Sequence, residues 1–351
     1  MRVIPPLDIS ETILTSSVVN ETALAAYSGA TTYAVGDTVS VAGSAGLITH
    51  YRSNYDGNIG NTPSGSPFWW TRIDTIYQAY SGATTYAAAD RVQDNTHHII
   101  YESLVGGNIG NALTDVTKWL EIGPTNKWAM FDLLRNTATT CASPLTVVLV
   151  PGVRINSLAL LGMVAAAIEV TVTSGGSTVY HTTADLGTRD VYDWYTYFFE
   201  PFSTAADLAL FDLPPYTDAI VTVTLTRTSG DVACGALVIG SNEYLGDAQY
   251  NAKSDIVNFS SVERDAFGNA SMTQRRNIPK TSQTCWLEKA LVNRVATLRD
   301  TLNATPAVWS WLDDATDDYF GIGFILGFYR TFAIDVSSPS HAVVNLEVEE
   351  I

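Results

Sequence analysis

The nonapeptide from Ala26 to Ala34, Ala-Tyr-Ser-Gly-Ala-Thr-Thr-Tyr-Ala, recurs without change from Ala79 to Ala87. Farther along, Gly57-Asn-Ile-Gly-Asn61 returns as Gly107-Asn-Ile-Gly-Asn111, Tyr51 matches Tyr101, Trp70 matches Trp119 and Ile73 matches Ile122. The offset between partners shrinks along the unit, so the copies differ in loop length and share a frame. Identity over such a stretch marks a duplicated supersecondary unit. Each copy is about 50 residues long, with short runs such as Thr38-Val-Ser-Val41 and Arg91-Val-Gln93 set between Gly-Asn turns, the pattern of a small antiparallel β unit. So small a unit has little core, and each buried aromatic removes roughly 150–250 Å² from water. Tyr33, Tyr51 and Trp70, with Tyr86, Tyr101 and Trp119, are therefore expected to form the two cores. Tyr55 and Trp69 have no aromatic counterpart in the second copy and are the residues expected to stay exposed.

The order Tyr33-x-x-Gly36-Asp37-x-Val39, Tyr51, Gly60-x-x-Pro63, Trp70-x-x-Ile73 resembles the small chitin- and cellulose-binding repeats attached to bacterial chitinases. The second copy keeps Tyr86, Asp90, Val92, Tyr101, Gly110, Trp119 and Ile122, with Ala89 in place of Gly36 and Leu113 in place of Pro63. The resemblance implies sugar rings lying flat on exposed aromatic faces, one of them a few residues after the tyrosine of the middle strand. Tyr55 occupies that place in the first copy and Val105 in the second. Tyr55 and Trp69 are thus the candidate glycan contacts. If both face outward on one side, glycan binding gains; if both pack inward, the repeats are spacers.

A new composition begins at Gly123-Pro124. The runs at 146–150, 157–161, 168–172, 219–225 and 236–239 are short, apolar or alternating, and divided by Pro151-Gly152, Ser174-Gly-Gly176, Pro214-Pro215 and Ser229-Gly230. Such strands with turn signals and no long helix predict a β-sandwich of jelly-roll type. The order Trp128, Val147–Pro151, Asn156–Gly162 resembles galactose-binding-like sandwiches. The aromatic run from Tyr192 through Trp194, Tyr195, Tyr197, Phe198 and Phe199 to Pro201 and Phe202 reads as a packed crossing loop or edge strand. Beyond Gly246, strands at 255–261 and 270–276 flank the turn Asp265-x-x-Gly268-Asn269. Leu291, Val292, Val295, Leu298 and Leu302 share one face of a helix over 288–303. Strands at 322–334 and 342–348 complete an α+β unit whose helix covers a small sheet, and Glu347, Glu349 and Glu350 read as a solvated tail.

The fold class is therefore mainly β: an N-terminal arm (1–22), aromatic modules at 23–75 and 76–123, a sandwich (124–245) and a C-terminal α+β assembly domain (246–351). With 46% hydrophobic and 16% charged residues, the chain is no disordered one. A formal charge of −17 opposes binding to a nucleic-acid backbone, and the short basic cluster Arg275, Arg276, Lys280 does not reverse it. The apolar stretch 155–172 is interrupted by Asn156, Gly162 and Glu169 and falls short of a membrane span. No apolar signal core follows Met1, so synthesis in a cytoplasm is expected. Cys141, Cys234 and Cys285 lie far apart, and buried free thiols are expected.

Motifs for chemistry are thin. HExxH, Gly-x-Ser-x-Gly, a phosphate loop and a dinucleotide fingerprint are all missing from the sequence. His97 and His98 are adjacent, and neighbours on a strand point to opposite faces, which suits no shared metal. Asp313, Asp314, Asp317 and Asp318 lack the calcium-loop order and read as a solvated acidic loop. No cofactor, metal or catalytic activity is expected.

The overall layout resembles a family of tail proteins from tailed bacteriophages. The opening Arg2-Val-Ile-Pro-Pro6, the stretch Lys118-Trp119 through Trp128 to Asp132, Asn156–Gly162, Asp193–Phe202 and Asp212-Leu-Pro-Pro-Tyr216 carry that resemblance. It implies a structural virion component, partnered by other tail proteins and by copies of itself in a symmetric oligomer, with host-surface glycan as a further partner. The alternative is a glycan-degrading enzyme or its substrate-targeting subunit, which would need two close carboxylates in an aromatic groove.

Overall fold

The computed structural model describes residues 1–188, 193–199, 203–315, 317, 319–336 and 338–351. The fold is mainly β. Among the described residues, no helix is long and apolar enough to cross a membrane.

In the first module, Thr38–Ala42, Leu47–Ser53 and Trp70–Ala79 pair antiparallel; in the second, Arg91–Asp94, Ile99–Ser103 and Trp119–Pro124 do the same. A short parallel pairing, Gln78 with Val92 and Ala79 with Gln93, joins both into one six-stranded sheet. Each module has its own aromatic core, Tyr33, Val39 and Trp70 in one and Tyr86, Val92 and Trp119 in the other. Tyr33 meets Trp70 edge-on at 5.1 Å, and Tyr86 meets Trp119 at 5.3 Å. The buried polar tips are satisfied identically. The hydroxyls of Tyr33 and Tyr86 accept the Ser28 and Ser81 N–H, each at 2.8 Å, and the two indoles donate to the Asn61 and Asn111 carbonyls. A left-handed turn residue precedes each first strand: Gly36 at φ 91° and Ala89 at φ 69°. Glycine adopts it freely, alanine at a cost.

The sandwich pairs a five-stranded sheet, ordered Ser177–Asp185, Ala167–Ser174, Ile220–Thr226, Leu145–Leu149, Leu14–Ser17, with a three-stranded sheet of Leu208–Leu210, Ser157–Leu161 and Ala236–Gly240. In the larger sheet Leu145–Leu149 alternates buried and half-buried residues. Two strands of the smaller sheet do not alternate: every residue of Ser157–Leu161 and Ala236–Gly240 is buried. It is a middle layer. Leu158, Leu160, Leu237 and Ile239 pack with Val170 and Val223. Ala159, Leu161, Ala236 and Val238, from the other face, pack with Ile4, Val308, Phe324 and Leu326 of the C-terminal sheet. Burial on both faces is why those runs are continuously apolar.

The C-terminal sheet has eight strands and runs Glu243–Tyr244, Arg2–Ile4, Ala307–Ser310, Phe324–Asp335, His341–Glu350, Asn277–Glu288, Asp247–Ala248, with Lys253–Asn258 also on Asn277–Glu288. Residues 1–22 thus supply a strand to this sheet and an edge strand to the sandwich. A methyl at Gly240 would collide with the Pro5 carbonyl, so glycine there lets the N-terminal strand lie close. The helix Val292–Thr301, with the 3-10 turn Lys289–Leu291, packs Leu291, Val292, Val295, Leu298 and Leu302 against Trp309 and Phe332.

Three sequence readings are corrected. Glu347, Glu349 and Glu350 are no solvated tail: they belong to the strand His341–Glu350, flanked by strands on both sides. Glu349 binds Arg330, Glu347 pairs with Lys280, and buried Glu350 accepts from Arg276 at 2.9 Å. Asn277–Glu288 is a long strand that the sequence reading left out, so the sheet is not small. The described aromatics Trp194–Phe199 form a short helix with no buried residue rather than a packed loop or strand. Asp193 caps it, accepting the Thr196 N–H at 2.8 Å. Tyr192, Pro201 and Phe202 lie outside the described residues.

Candidate functional site

The first module carries a surface that the second lacks. Tyr55 sits in the turn after Leu47–Ser53, and Phe68 and Trp69 precede Trp70–Ala79. The Tyr55 and Phe68 rings stack at 4.7 Å, tilted by 19°. They are 45% and 65% exposed. Trp69 meets both edge-on, at 5.7 and 5.8 Å, and is itself half-buried against the Tyr33–Val39–Trp70 core. Of the two residues expected on the surface, Tyr55 is there, while Trp69 is the mount connecting the stack to the core.

Polar groups fix the two loops. The Asn54 N–H donates to the Trp69 carbonyl at 2.9 Å, its side-chain amide donates to the Phe68 carbonyl at 3.0 Å, and its Oδ1 accepts from Thr71 Oγ1 at 2.7 Å. Asn58 donates to Ser53 Oγ, and Ser53 Oγ to the Tyr55 carbonyl, both at 3.0 Å. Asp56 accepts the Val35 N–H at 2.9 Å.

The second module keeps the scaffold and drops the surface. Asn108 donates to Ser103 Oγ at 3.0 Å, and the Leu104 N–H still reaches the Lys118 carbonyl at 2.9 Å. Leu104 replaces the Asn54 clamp, and Val105, Thr117 and Lys118 stand where Tyr55, Phe68 and Trp69 do. Its loop is polar: Asp115 accepts from Thr117 Oγ1 at 2.7 Å and from its N–H at 3.0 Å, which holds the carboxyl below its ordinary range.

Phe68 and Asn54 were missed by sequence reasoning. Both differ between the copies, as Tyr55 and Trp69 do, so the copy-to-copy comparison held the signal. What it did not hold was the packing of Phe68 on Tyr55.

The remaining candidates are dispersed. His97 pairs with Asp94 at 2.7 Å, while His98 binds Glu21 at 2.8 Å. Asp313 pairs with Arg2 at 2.7 Å, and Asp317 accepts the Tyr319 N–H at 2.8 Å; Asp318 lies outside the described residues. Among the described residues, no group of three or more His, Cys, Asp or Glu is placed to hold a metal ion. The three thiols are buried and free, and burial pushes Cys141 and Cys234 up to about 12 and Cys285 to about 11.

No protein-family model matches the chain, and no curated protein matches it.

Proposed function

We propose that this chain is a structural component of a bacteriophage tail, with host-surface glycan held on Tyr55 and Phe68 of the first module. The C-terminal sheet anchors it to tail neighbours, and the second module is a spacer. One observation carries the glycan reading: a stacked aromatic pair stays in solvent on one copy, while the other copy keeps the scaffold and replaces the pair. Large aromatic faces in water are unfavourable. The apolar face of a sugar ring complements them, its C–H groups meeting the π cloud. The tail assignment rests on the sequence resemblance. Extended sheets and exposed apolar elements suit a protein whose surfaces are covered by neighbours.

Two measurements test the reading. Purified protein is mixed with insoluble chitin, cellulose and host envelope polysaccharide, beside Tyr55→Ala and Phe68→Ala. Retention of the wild type with loss in both variants supports it; equal behaviour of all three removes the glycan role. Immunogold electron microscopy of phage particles, with antibody to residues 23–75, tests the location. Label at the tail is expected, and unlabelled particles would remove the virion assignment.

A further inference from the structure

A ribbon leaves the C-terminal sheet between Lys253 and Lys280, and no residue in that span is buried. Its base pairs Lys253–Asn258 with Asn277–Ser282, and its distal part is the hairpin Ser261–Arg264 with Ala270–Thr273. Asp265 closes the tip by accepting the Phe267 and Asn269 N–H groups at 2.9 and 2.8 Å. That distal hairpin is a two-stranded sheet by itself. Two-stranded ribbons are marginal in water, and unpaired edges invite pairing. Ile256, Phe259, Val262 and Met272 are all exposed along it, and Phe267 at the tip is 91% exposed. An apolar surface of this kind marks an interaction site.

The ribbon also differs from the body in charge. Lys253, Arg264, Arg275, Arg276 and Lys280 outnumber Asp255, Glu263 and Asp265, in a chain whose formal charge is −17. Arg276 and Lys280 pair with Glu350 and Glu347 at the base, and the three remaining cations balance the three carboxylates, so the ribbon meets the acidic body of another copy without the repulsion that two acidic surfaces would have.

At the ribbon's base lies a groove of about 520 Å³. Tyr250, Tyr319 and Ile322 give it exposed apolar walls, and Asp317 gives it an acid. Trp311 and Gln283 also line it, and each is more than nine-tenths buried. Trp311 Nε1 and Gln283 Oε1 have no hydrogen-bond partner among the described residues. A buried donor and a buried acceptor left unpaired are costly, so the floor of the groove is polar and unsatisfied beneath its apolar walls.

We propose that the tip of one copy, Phe267 with Arg264 beside it, enters the groove of a second copy. The aromatic ring meets Tyr250, Tyr319 and Ile322, the guanidinium meets Asp317, and the tip backbone approaches Trp311 and Gln283. The ribbon extends at most roughly 40 Å at about 3.3 Å per residue, and the exposure of Phe267 means that the tip does not occupy its own groove. Reciprocal insertion, each tip in the other copy's groove, closes a two-fold dimer. The inference rests on reading the chain as an assembly component.

The full-length protein is examined by sedimentation equilibrium at micromolar concentration, with Phe267→Asp at the tip and Ile322→Asp at the groove. Both positions are exposed, so both variants fold. The wild type is expected to sediment as a discrete oligomer and each variant to fall to the monomer mass. Mixing the variants pairs one intact tip with one intact groove and restores a dimer. A monomeric wild type, an oligomer indifferent to both substitutions, or a mixture that stays monomeric would overturn the proposal. Polysaccharide retention is read on the same preparations. An oligomer without glycan binding leaves this inference standing and removes the glycan role, whereas glycan binding by a monomer does the reverse.

Discussion

The Tyr55 ring lies nearly parallel to that of Phe68, centroids 4.7 Å apart, although the two residues belong to different loops of the first module. The pair stands on Trp69, which joins it to the module core. Tyr55→Ala or Phe68→Ala is therefore expected to weaken polysaccharide binding roughly tenfold and to lower stability by about 0.5–1.5 kcal/mol, the worth of the aromatic pair that either change breaks. Trp69→Ala is expected to lower both. The converse is a graft: Leu104→Asn, Val105→Tyr, Thr117→Phe and Lys118→Trp together should give the second module a site. Isothermal titration with a soluble oligosaccharide would then count two sites per chain in place of one.

Ala89 holds a left-handed backbone, φ 69°, at the place where the first module has Gly36 at φ 91°. Nothing lies within 4 Å of a Cβ built on Gly36, so the backbone conformation alone decides the cost. Ala89→Gly is expected to stabilise the protein by about 0.5–1 kcal/mol, and Gly36→Ala to destabilise it by about 1 kcal/mol. Urea unfolding of both variants reads the two signs in one experiment.

Glu21 ties three parts of the chain together. Its carboxylate, nine-tenths buried, accepts from His98 Nδ1 at 2.8 Å, Thr125 Oγ1 at 2.6 Å and Trp128 Nε1 at 3.1 Å. His98 also stacks on Trp128 at 4.2 Å. Glu21→Ala leaves these donors unpaired and is expected to cost about 2–4 kcal/mol, with Glu21→Gln recovering part of the loss. Limited proteolysis should then cut first at the junction between the second module and the sandwich.

Burial holds Cys141 and Cys234 near pKa 12, against 9.0 for a free thiol. At about pH 8 none of the three cysteines should react with a thiol reagent in the native protein, and all should react in urea. The linkage has one sign. A folded-state pKa above the unfolded one means full stability below the unfolded value and loss as pH rises past it. Stability should therefore decline as pH rises above 9.0. Cys234→Ala should flatten part of that decline, as read by thermal unfolding across an alkaline pH series.

Much of the architecture was legible locally. The duplicated nonapeptide required two equivalent modules, and their small size required Tyr33, Trp70, Tyr86 and Trp119 to be core. The spacing of Leu291, Val292, Val295, Leu298 and Leu302 points to the helix that packs on the C-terminal sheet. The turn at Asp265–Asn269 gave the tip of the ribbon. The site is half legible: the difference between the copies points to Tyr55, but the packing of Phe68 on Tyr55 and of Trp69 against the core leaves no signal along the chain.

What the sequence determined by itself is whatever neighbours along the chain impose: repeat frame, strand and helix periods, turns, and aromatic cores within one module. The tertiary structure alone decided the rest. Arg2–Ile4 lies between Glu243–Tyr244 and Ala307–Ser310, and Leu14–Ser17 beside Leu145–Leu149, pairings between distant segments that leave no periodic signal. The middle sheet is a layer only because two other sheets close over it. Glu350 is buried where Arg276 and Arg135, both distant in sequence, approach its carboxylate. A carboxylate or an aromatic ring is read from its own position in the sequence, but its solvent is set by the chain that folds over it.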